Sequence, residues 1–107
     1  VDDVRRKWKS LIDGWCRDGR TVCAWGSGSK AVGFLTGLDL NGEVTAVVDI
    51  NPKKRGKFVA GTGQPIVAPE QLADLPPSLV VIMNPVYQGE IAARLSELGF
   101  EPRLMVA

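Results

Sequence analysis

Two short, continuous apolar runs constrain the fold of this chain more than any other feature of its sequence. Residues 44–50 are rich in β-branched side chains and carry no charge before Asp49, and residues 79–83 are apolar throughout. Strands that are apolar on both faces are typical of parallel sheets that helices cover on both sides. Segments with helical spacing lie between the runs. The sequence therefore predicts an α/β domain in which right-handed crossovers join parallel strands.

Turn residues divide the chain into five predicted strands and four predicted helices. The strands are predicted at residues 21–25, 44–50, 65–68, 79–83 and 104–106, and helices at 31–38, 69–75 and 91–98. An additional N-terminal helix, ending at Gly19, carries an apolar stripe of Val4, Trp8, Leu11, Ile12 and Trp15. The simplest strand order is 3-2-1-4-5, which predicts a small Rossmann-like three-layer sandwich of about five parallel strands.

Length and composition limit the possible functions. With 107 residues, the chain is predicted to form a single domain over residues 1–107. The 13 Lys and Arg against 12 Asp and Glu leave a formal charge of +1, so we expect no nucleic-acid partner. The longest apolar run is far too short to span a membrane, so we expect no membrane partner. Histidine is absent, which excludes imidazole acid–base catalysis and His-containing zinc sites from this segment.

The cysteines and the first residues bear on the setting of the chain. Cys16 and Cys23 have a spacing that suits neither a zinc site nor a disulfide framework, so we expect reduced thiols in a cytoplasmic protein. The chain starts at Val1 with neither an initiator Met nor a signal sequence, so we expect a segment of a longer protein. No carboxylate pair and no nucleophile with a base forms a catalytic group, and no catalytic or metal-binding residue is predicted.

A glycine-rich turn after the first predicted strand is the best candidate for a binding site. It fits the pattern G-x-G-x-x-A between a strand and a helix, and Asp49 ends the next strand, 21 residues after Gly28. In such turns the backbone approaches the phosphate or carboxylate of a ligand, while the acid accepts hydrogen bonds from a ribose. The ligand-binding residues predicted here are Gly26, Ser27, Gly28, Ser29, Lys30 and Asp49.

The glycine turn does not identify the ligand. Its geometry serves NAD, S-adenosylmethionine and nucleotide sugars, and parallel α/β folds also use tight glycine turns where nothing binds. Lys30 opposes the helix dipole, so it either contacts a phosphate or points into solvent. Trp25, at the end of the first strand, either stacks on a base or is buried in the core.

Loops after the second and fourth strands extend the candidate site. The loop at residues 53–57 contains four cations, which either neutralise a phosphate or lie in solvent. The glycine-rich segment at residues 61–63 either forms an anion-binding concavity or only turns the chain. The residues after the fourth strand lie at the crevice where the strand order reverses, or else they close a turn. These loops add Asn51, Lys57, Thr62, Asn84 and Tyr87 to the predicted ligand-binding residues.

Several of these residues belong to an ordered set of motifs. The chain reads VVDINPKKRGKF at residues 47–58, GTGQPI at 61–66, PE at 69–70, MNPVY at 83–87 and EI at 90–91. In this order the segments resemble the C-terminal domain of the sugar C-methyltransferases. With the glycine turn included, the resemblance covers about residues 21–98.

The resemblance implies a Rossmann-like domain that does not itself hold the methyl donor. In such proteins an N-terminal zinc-binding region and a central methyltransferase domain precede the C-terminal domain, which helps to hold a nucleotide-linked deoxysugar. The resemblance thus implies no cofactor for this segment and S-adenosylmethionine for the parent protein. The implied partners are a nucleotide-type small molecule and the preceding methyltransferase domain.

Three functions remain open from the sequence. The first is an accessory domain that binds a nucleotide or nucleotide sugar for a S-adenosylmethionine-dependent C-methyltransferase. The second is a domain that itself binds S-adenosylmethionine or NAD through its glycine turn. The third is a degenerate Rossmann module that serves domain packing or dimerisation.

Overall fold

A five-stranded parallel sheet forms the centre of the computed structural model, which describes residues 2–38, 42–59 and 61–107. The strands lie in the order β3-β2-β1-β4-β5, and every neighbouring pair is parallel. They are β1 at Val22–Trp25, β2 at Val44–Val48, β3 at Ile66–Val67, β4 at Leu79–Ile82 and β5 at Arg103–Val106. The predicted α/β class and strand order are confirmed.

Helices cover both faces of the sheet and complete the predicted three layers. Helices α1 and α2 pack on one face, while α3 and a short 3-10 helix after β3 pack on the other. Within the described ranges, no helix has the length and apolar character needed to cross a membrane. The helices are α1 at Asp2–Arg17, α2 at Ser29–Gly37 and α3 at Gln88–Glu97, with 3-10 helices at Pro52–Lys54, Pro69–Ala73 and Pro85–Tyr87.

The continuous apolar runs are explained by burial on both faces. In β1, Val22 and Ala24 face α1 and α2, whereas Cys23 and Trp25 face α3. Successive strand side chains point to opposite faces, so a strand with helices on both sides needs apolar residues at every position. The same alternation runs through β4 at Leu79–Ile82, where every residue is buried.

An irregularity in β2 changes which of its residues share a face. Val22 pairs with Val44, but Cys23 pairs with Ala46, so the register shifts by one residue between them. Val44 and Val47 consequently face α1 and α2 together, although their separation in sequence is odd. A bulge of this kind inserts one residue into a strand and breaks the alternation beyond it.

Helix α1 is part of the core of this domain. Ile12 is fully buried among residues of the sheet and of α2. Trp8 meets Phe34 of α2 edge-on, with ring centroids 5.3 Å apart. Nζ of Lys9 lies 2.9 Å from Oε2 of Glu43, just before β2. Trp8, Ile12 and Trp15 of the predicted apolar stripe therefore pack within the domain, whereas Val4 is exposed.

Two short elements after β2 differ in detail from their predictions. The strand predicted at 65–68 spans only Ile66–Val67, and the helix predicted at 69–75 is a 3-10 helix at Pro69–Ala73. Its buried residues, Pro69 and Leu72, are three positions apart, which matches the three-residue turn of a 3-10 helix. Other predicted ends lie within three residues of those observed.

The connection between β2 and β3 contains ordered backbone pairing. The amide of Val59 donates to the carbonyl of Gln64 at 2.8 Å, and the amide of Ile66 donates to the carbonyl of Lys57 at 2.8 Å. These bonds fold the segment into a small antiparallel hairpin that leads into β3.

Candidate functional site

A cavity of about 860 Å³ opens at the carboxyl ends of β1, β2 and β4, between the start of α2 and α3. Its volume lies in the range of small-molecule sites in proteins, about 300 to 1,000 Å³. Parallel α/β sheets commonly bind ligands at this edge, where the strand order reverses. The predicted ligand-binding residues that line it are Gly26, Gly28, Ser29, Lys30, Asp49, Asn84 and Tyr87.

The glycine turn has its sharpest bend at Gly26. This residue has a φ of +111°, and its amide donates to the carbonyl of Val48 at 2.8 Å, which ties the turn to the end of β2. A Cβ atom on Gly26 would lie 3.3 Å from Cβ of Met83 at the end of β4. Only glycine combines this backbone conformation with such a close neighbour.

Helix α2 begins directly at the cavity. Gly28 is its N-cap, and the carbonyl of Gly28 accepts from the amides of Ala31 at 3.0 Å and Val32 at 3.2 Å. No side chain caps this end of the helix. The first N–H groups of an α-helix have no partner within the helix itself, so Ser29 and Lys30 present donors at the cavity wall. This arrangement can bind an anionic or carbonyl group of a ligand.

Asp49 is held by the residues next to it. Its Oδ2 accepts from the amide of Ser27 at 3.3 Å and from the Ser27 hydroxyl, and its Oδ1 accepts from the amide of Asn51 at 2.8 Å. Ser27 is nearly buried and Asn51 is exposed, and neither lines the cavity itself. A carboxylate has about four acceptor positions, so one remains for a ligand hydroxyl.

The same contacts determine the charge of Asp49. Partial burial by itself raises the pKa of this carboxyl. The hydrogen bonds from Ser27 and Asn51, with the nearby charge of Lys54, outweigh burial and hold the pKa below its ordinary value. Asp49 is therefore ionised near neutral pH.

We expect Asp49→Asn to lower the free energy of unfolding by about 1 kcal/mol at pH 7, because hydrogen bonds to a charged acceptor are lost. The folded-state pKa lies below the unfolded one, so the contribution of the charge is present above the unfolded pKa, near about 3.9, and is lost as pH falls towards the folded pKa. Urea unfolding at pH 7 and near pH 3 measures this change. The wild type and the variant should converge in acid, and Asp74→Asn, which alters an exposed carboxyl, should change the free energy of unfolding at pH 7 by no more than about 0.5 kcal/mol. An equal difference at both pH values would contradict the assignment.

The loop after β4 forms the opposite rim. Oδ1 of Asn84 accepts from the amide of Val86 at 3.1 Å, which closes the turn that leads into α3. Tyr87 and Val86 are exposed, and Tyr87 lines the cavity. Trp25 also reaches the cavity wall, although only 8% of it is exposed. Asn84 thus has a structural role in the turn, and its side-chain nitrogen is not used by that bond.

Like Ser27 and Asn51, the predicted site residues Lys57 and Thr62 do not line the cavity. Lys57 is exposed on the hairpin before β3. Thr62 follows Gly61, whose Cβ position would be 3.9 Å from Oγ1 of Thr36 near the end of α2. Helix α2 starts at the cavity and runs away from it. Thr62 therefore lies near the far end of α2 and does not line the cavity. The basic residues at 53–55 also do not line the cavity.

Sequence reasoning missed several residues that line the cavity. Among them is Arg94, a cation in the last turn of α3, a helix that was characterised only by its apolar positions. Its spacing of three residues from Ile91 and four from Glu90 places all three on one helix face, which was the available signal. Besides Trp25, whose role was left open, the lining residues missed are Ala31, Ile50, Met83, Pro85, Glu90, Ile91 and Arg94.

The cysteines and acidic residues give no sign of redox or metal chemistry in the part of the chain that is described. Cys16 is half-buried, and burial raises the pKa of Cys23 to about 11, so that thiol stays protonated. Across residues 2–38, 42–59 and 61–107, no group of three or more Cys, Asp and Glu side chains could hold a metal ion.

The strand order and the glycine turn together define a Rossmann-like α/β domain, with a cavity at the carboxyl ends of its strands. The sequence matches the family model of the C-methyltransferase C-terminal domain over residues 1–101. The chain belongs to this family, and the resemblance found in its motifs is confirmed.

A curated relative and a solved structure are also similar to this chain. The chain is 32% identical over 89 residues to C-methyltransferase NovU of Streptomyces niveus, covering 82% of this chain and 21% of that protein. It therefore spans about a fifth of the curated relative's length. The crystal structure of RSP, a Rex-family repressor, superposes with a TM-score of 0.60 over 97% of this chain and 60% of that one, at 14% identity. At that identity the likeness concerns the fold alone.

Proposed function

We propose that this domain is the accessory substrate-binding domain of a S-adenosylmethionine-dependent C-methyltransferase, and that it holds a nucleotide or nucleotide sugar in the cavity. In this proposal the domain is the C-terminal part of a longer chain, and methyl transfer takes place on the preceding methyltransferase domain. The contribution of the domain is to bind and orient the acceptor substrate, which lowers the entropic cost of the reaction.

The observation that carries the proposal is the cavity at the carboxyl ends of β1, β2 and β4. It combines backbone donors at the start of α2 with the charged side chains of Lys30, Asp49 and Arg94. Trp25, Ile50 and several other apolar side chains line the rest of it. Apolar walls with a few polar groups are typical of sites for small organic ligands.

The hydrogen bonds of Asp49 limit what a ligand of this cavity can present to it. In Rossmann-like sites the acid at this position accepts hydrogen bonds from a ribose diol. Here Ser27 and Asn51 already occupy three of about four acceptor positions. Asp49 can therefore accept from one hydroxyl of a ligand rather than from both hydroxyls of a ribose diol, and no step of methyl transfer is assigned to this domain.

A titration of the 107-residue chain with S-adenosylmethionine, NAD and a panel of nucleotide sugars tests the proposal. We expect a nucleotide sugar alone to shift the backbone amide signals of Gly26, Lys30 and Asn84, and to leave that of Thr62 unchanged. Ser29→Trp should abolish these shifts, because the indole would occupy the cavity at which Ser29 lies. Ser96→Trp, at an exposed helical serine away from the cavity, is the matched control.

Two results would overturn the proposal in favour of the other functions. Tight binding of S-adenosylmethionine or NAD with shifts at the glycine turn would show that the domain holds the cofactor itself. Absence of binding by every ligand would favour a module for packing or dimerisation.

A further inference from the structure

Arg94 is the cavity residue whose position is most fully determined by other side chains. One guanidinium nitrogen, Nη2, contacts Oε1 of Glu70, and the other, Nη1, donates to Oε2 of Glu97 at 3.3 Å. Glu70 belongs to the 3-10 helix after β3, so the pair joins the two segments that cover this face of the sheet. Neither carboxylate lines the cavity, whereas Arg94 does. The two acids therefore hold a guanidinium at the cavity wall from outside.

Few cations are available to a ligand in this cavity. Among the described residues, those that line it are Lys30 and Arg94. Nζ of Lys30 donates to the backbone carbonyl of Ala107 at 3.2 Å, which engages that ammonium group at the end of β5. The four cations of the loop at residues 53–57 are not part of the wall. Arg94 presents a planar pair of donors, which matches the oxygens of a phosphate better than the ammonium group of Lys30 does.

The ion pair of Arg94 with Glu70 can be exchanged at little cost. The side chains of Arg94 and Glu70 are 40% and 53% exposed, and ion pairs this accessible to water contribute little to stability. A phosphate presents several oxygens to the planar guanidinium and forms two charge-assisted hydrogen bonds with it. A phosphate can therefore replace Glu70 as the partner of Arg94 with a net gain.

Acidic residues of the cavity narrow the place where a phosphate binds. Asp49 and Glu90 also line the wall, and their charges repel an anion. Asp49 already accepts three hydrogen bonds, so the substrate end near it is neutral and offers at most one hydroxyl donor. The charge of Asp49 thus disfavours an anion at the end of β2, whereas on α3 the charge of Glu90 is accompanied by that of Arg94, four residues later on the same helix face.

We propose that Arg94 is the phosphate-binding residue of this cavity, and that Glu70 occupies its guanidinium when no phosphate is present. This assignment rests on the proposed function, since it requires that the cavity takes a phosphorylated nucleoside. The phosphate contact then lies on α3 and not on the loop at residues 53–57. Glu70 competes with the phosphate of the ligand for the guanidinium.

Binding of phosphorylated and unphosphorylated probes tests the assignment. We would measure the affinities of the 107-residue chain for uridine, UMP and UDP by calorimetry, with the thymidine and adenosine series in parallel so that no base is assumed. Arg94→Gln should weaken UDP, or the diphosphate of whichever series binds, about 10- to 100-fold. It should leave the affinity for the matching nucleoside unchanged. Arg94→Lys should recover only part of the loss, because it keeps the charge but not the planar pair of donors.

Glu70→Gln distinguishes a phosphate-binding role from a structural one. If Glu70 competes with phosphate, this variant should bind the diphosphate about two- to fivefold more tightly and the nucleoside with unchanged affinity. If the ion pair is only structural, Arg94→Gln and Glu70→Gln should both have lower thermal stability. Each added phosphate of the probe should then raise the affinity as much as it does in the wild type. Arg6→Gln removes an exposed cation of α1 away from the cavity and controls for net charge.

The possible failures are separable. If the diphosphate binds and Arg94→Gln weakens diphosphate and nucleoside equally, or neither, the assignment of Arg94 is wrong and the proposed function stands. If no member of the three series binds and the panel of nucleotide sugars fails as well, the proposed function is wrong and the assignment falls with it.

Discussion

We expect Ile12→Ala to lower the free energy of unfolding by about 2 to 5 kcal/mol, as large-to-small substitutions at fully buried aliphatic residues do. Ile12 lies in α1 with none of its surface exposed, in the same cluster as Leu35 of α2 and Leu79 of β4. Truncation leaves a cavity between the helix and the sheet, and close-packed neighbours fill it only partly. Urea unfolding followed by far-ultraviolet circular dichroism measures the loss.

Val4→Ala in the same helix is the matched control. Val4 is 59% exposed, so its truncation should change stability by no more than about 0.5 kcal/mol. Together the two variants test whether α1 folds as part of this domain or serves as a surface for another one. A loss below about 0.5 kcal/mol for Ile12→Ala would show that the helix is not part of the core.

The order of the strands was accessible from the sequence because several local signals agree. The apolar runs at residues 44–50 and 79–83 require cover on both faces, which leaves parallel pairing as the simplest solution. A glycine turn between β1 and α2 then marks the point where the order reverses. Since these signals are local and mutually consistent, they determine the topology without any knowledge of side-chain contacts.

Details of the edge beside β3 were not accessible in the same way. The register shift opposite Val22 and Cys23 depends on how β2 fits between two neighbours, and its sequence carries no mark of it. The hairpin pairs residues 57–59 with residues 64–66 through backbone hydrogen bonds, which do not require particular side chains. Turn residues such as Gly61 and Gly63 indicate that the chain changes direction. They do not indicate which segment the chain then pairs with.

The candidate site shows the same division. Residues of the glycine turn, with Asp49 and Asn84, could be placed at the cavity because they follow directly from strand ends, which meet at one edge of a parallel sheet. Thr62 lies on a long connection, and its position depends on how that connection folds back against α2. Arg94 was missed because the rotation of α3 about its axis decides which face meets the cavity, and only packing determines that rotation.

Membership of the family and the geometry of the cavity support each other in the proposed function. The family match covers residues 1–101 and states which kind of protein contains this domain. The cavity supplies what the family name does not, a specific place for a small molecule and the charged groups around it. A domain that only packs against others has no need of a ligand-sized cavity lined by backbone donors and a guanidinium.

Gly26→Ala is expected to lower the free energy of unfolding by about 2 to 4 kcal/mol, from strain at positive φ together with crowding. The φ of +111° is unfavourable for any residue with a Cβ atom, and that atom would lie 3.3 Å from Cβ of Met83. Neither residue can move freely. The amide of Gly26 is hydrogen-bonded to the carbonyl of Val48, and Met83 is buried directly after β4. The turn must therefore shift, and the cavity wall with it.

Gly33→Ala supplies a control of opposite sign. Gly33 lies within α2, where an added Cβ meets no atom within 4 Å, so alanine should stabilise the helix by about 0.5 to 1 kcal/mol. Thermal unfolding of both variants, with the nucleotide titration repeated on each, separates the two effects. Gly26→Ala should lose both stability and ligand binding, whereas Gly33→Ala should gain stability and keep the ligand. Wild-type stability in Gly26→Ala would show that the turn has a different conformation, and the cavity built on it would then have to be abandoned as the binding site.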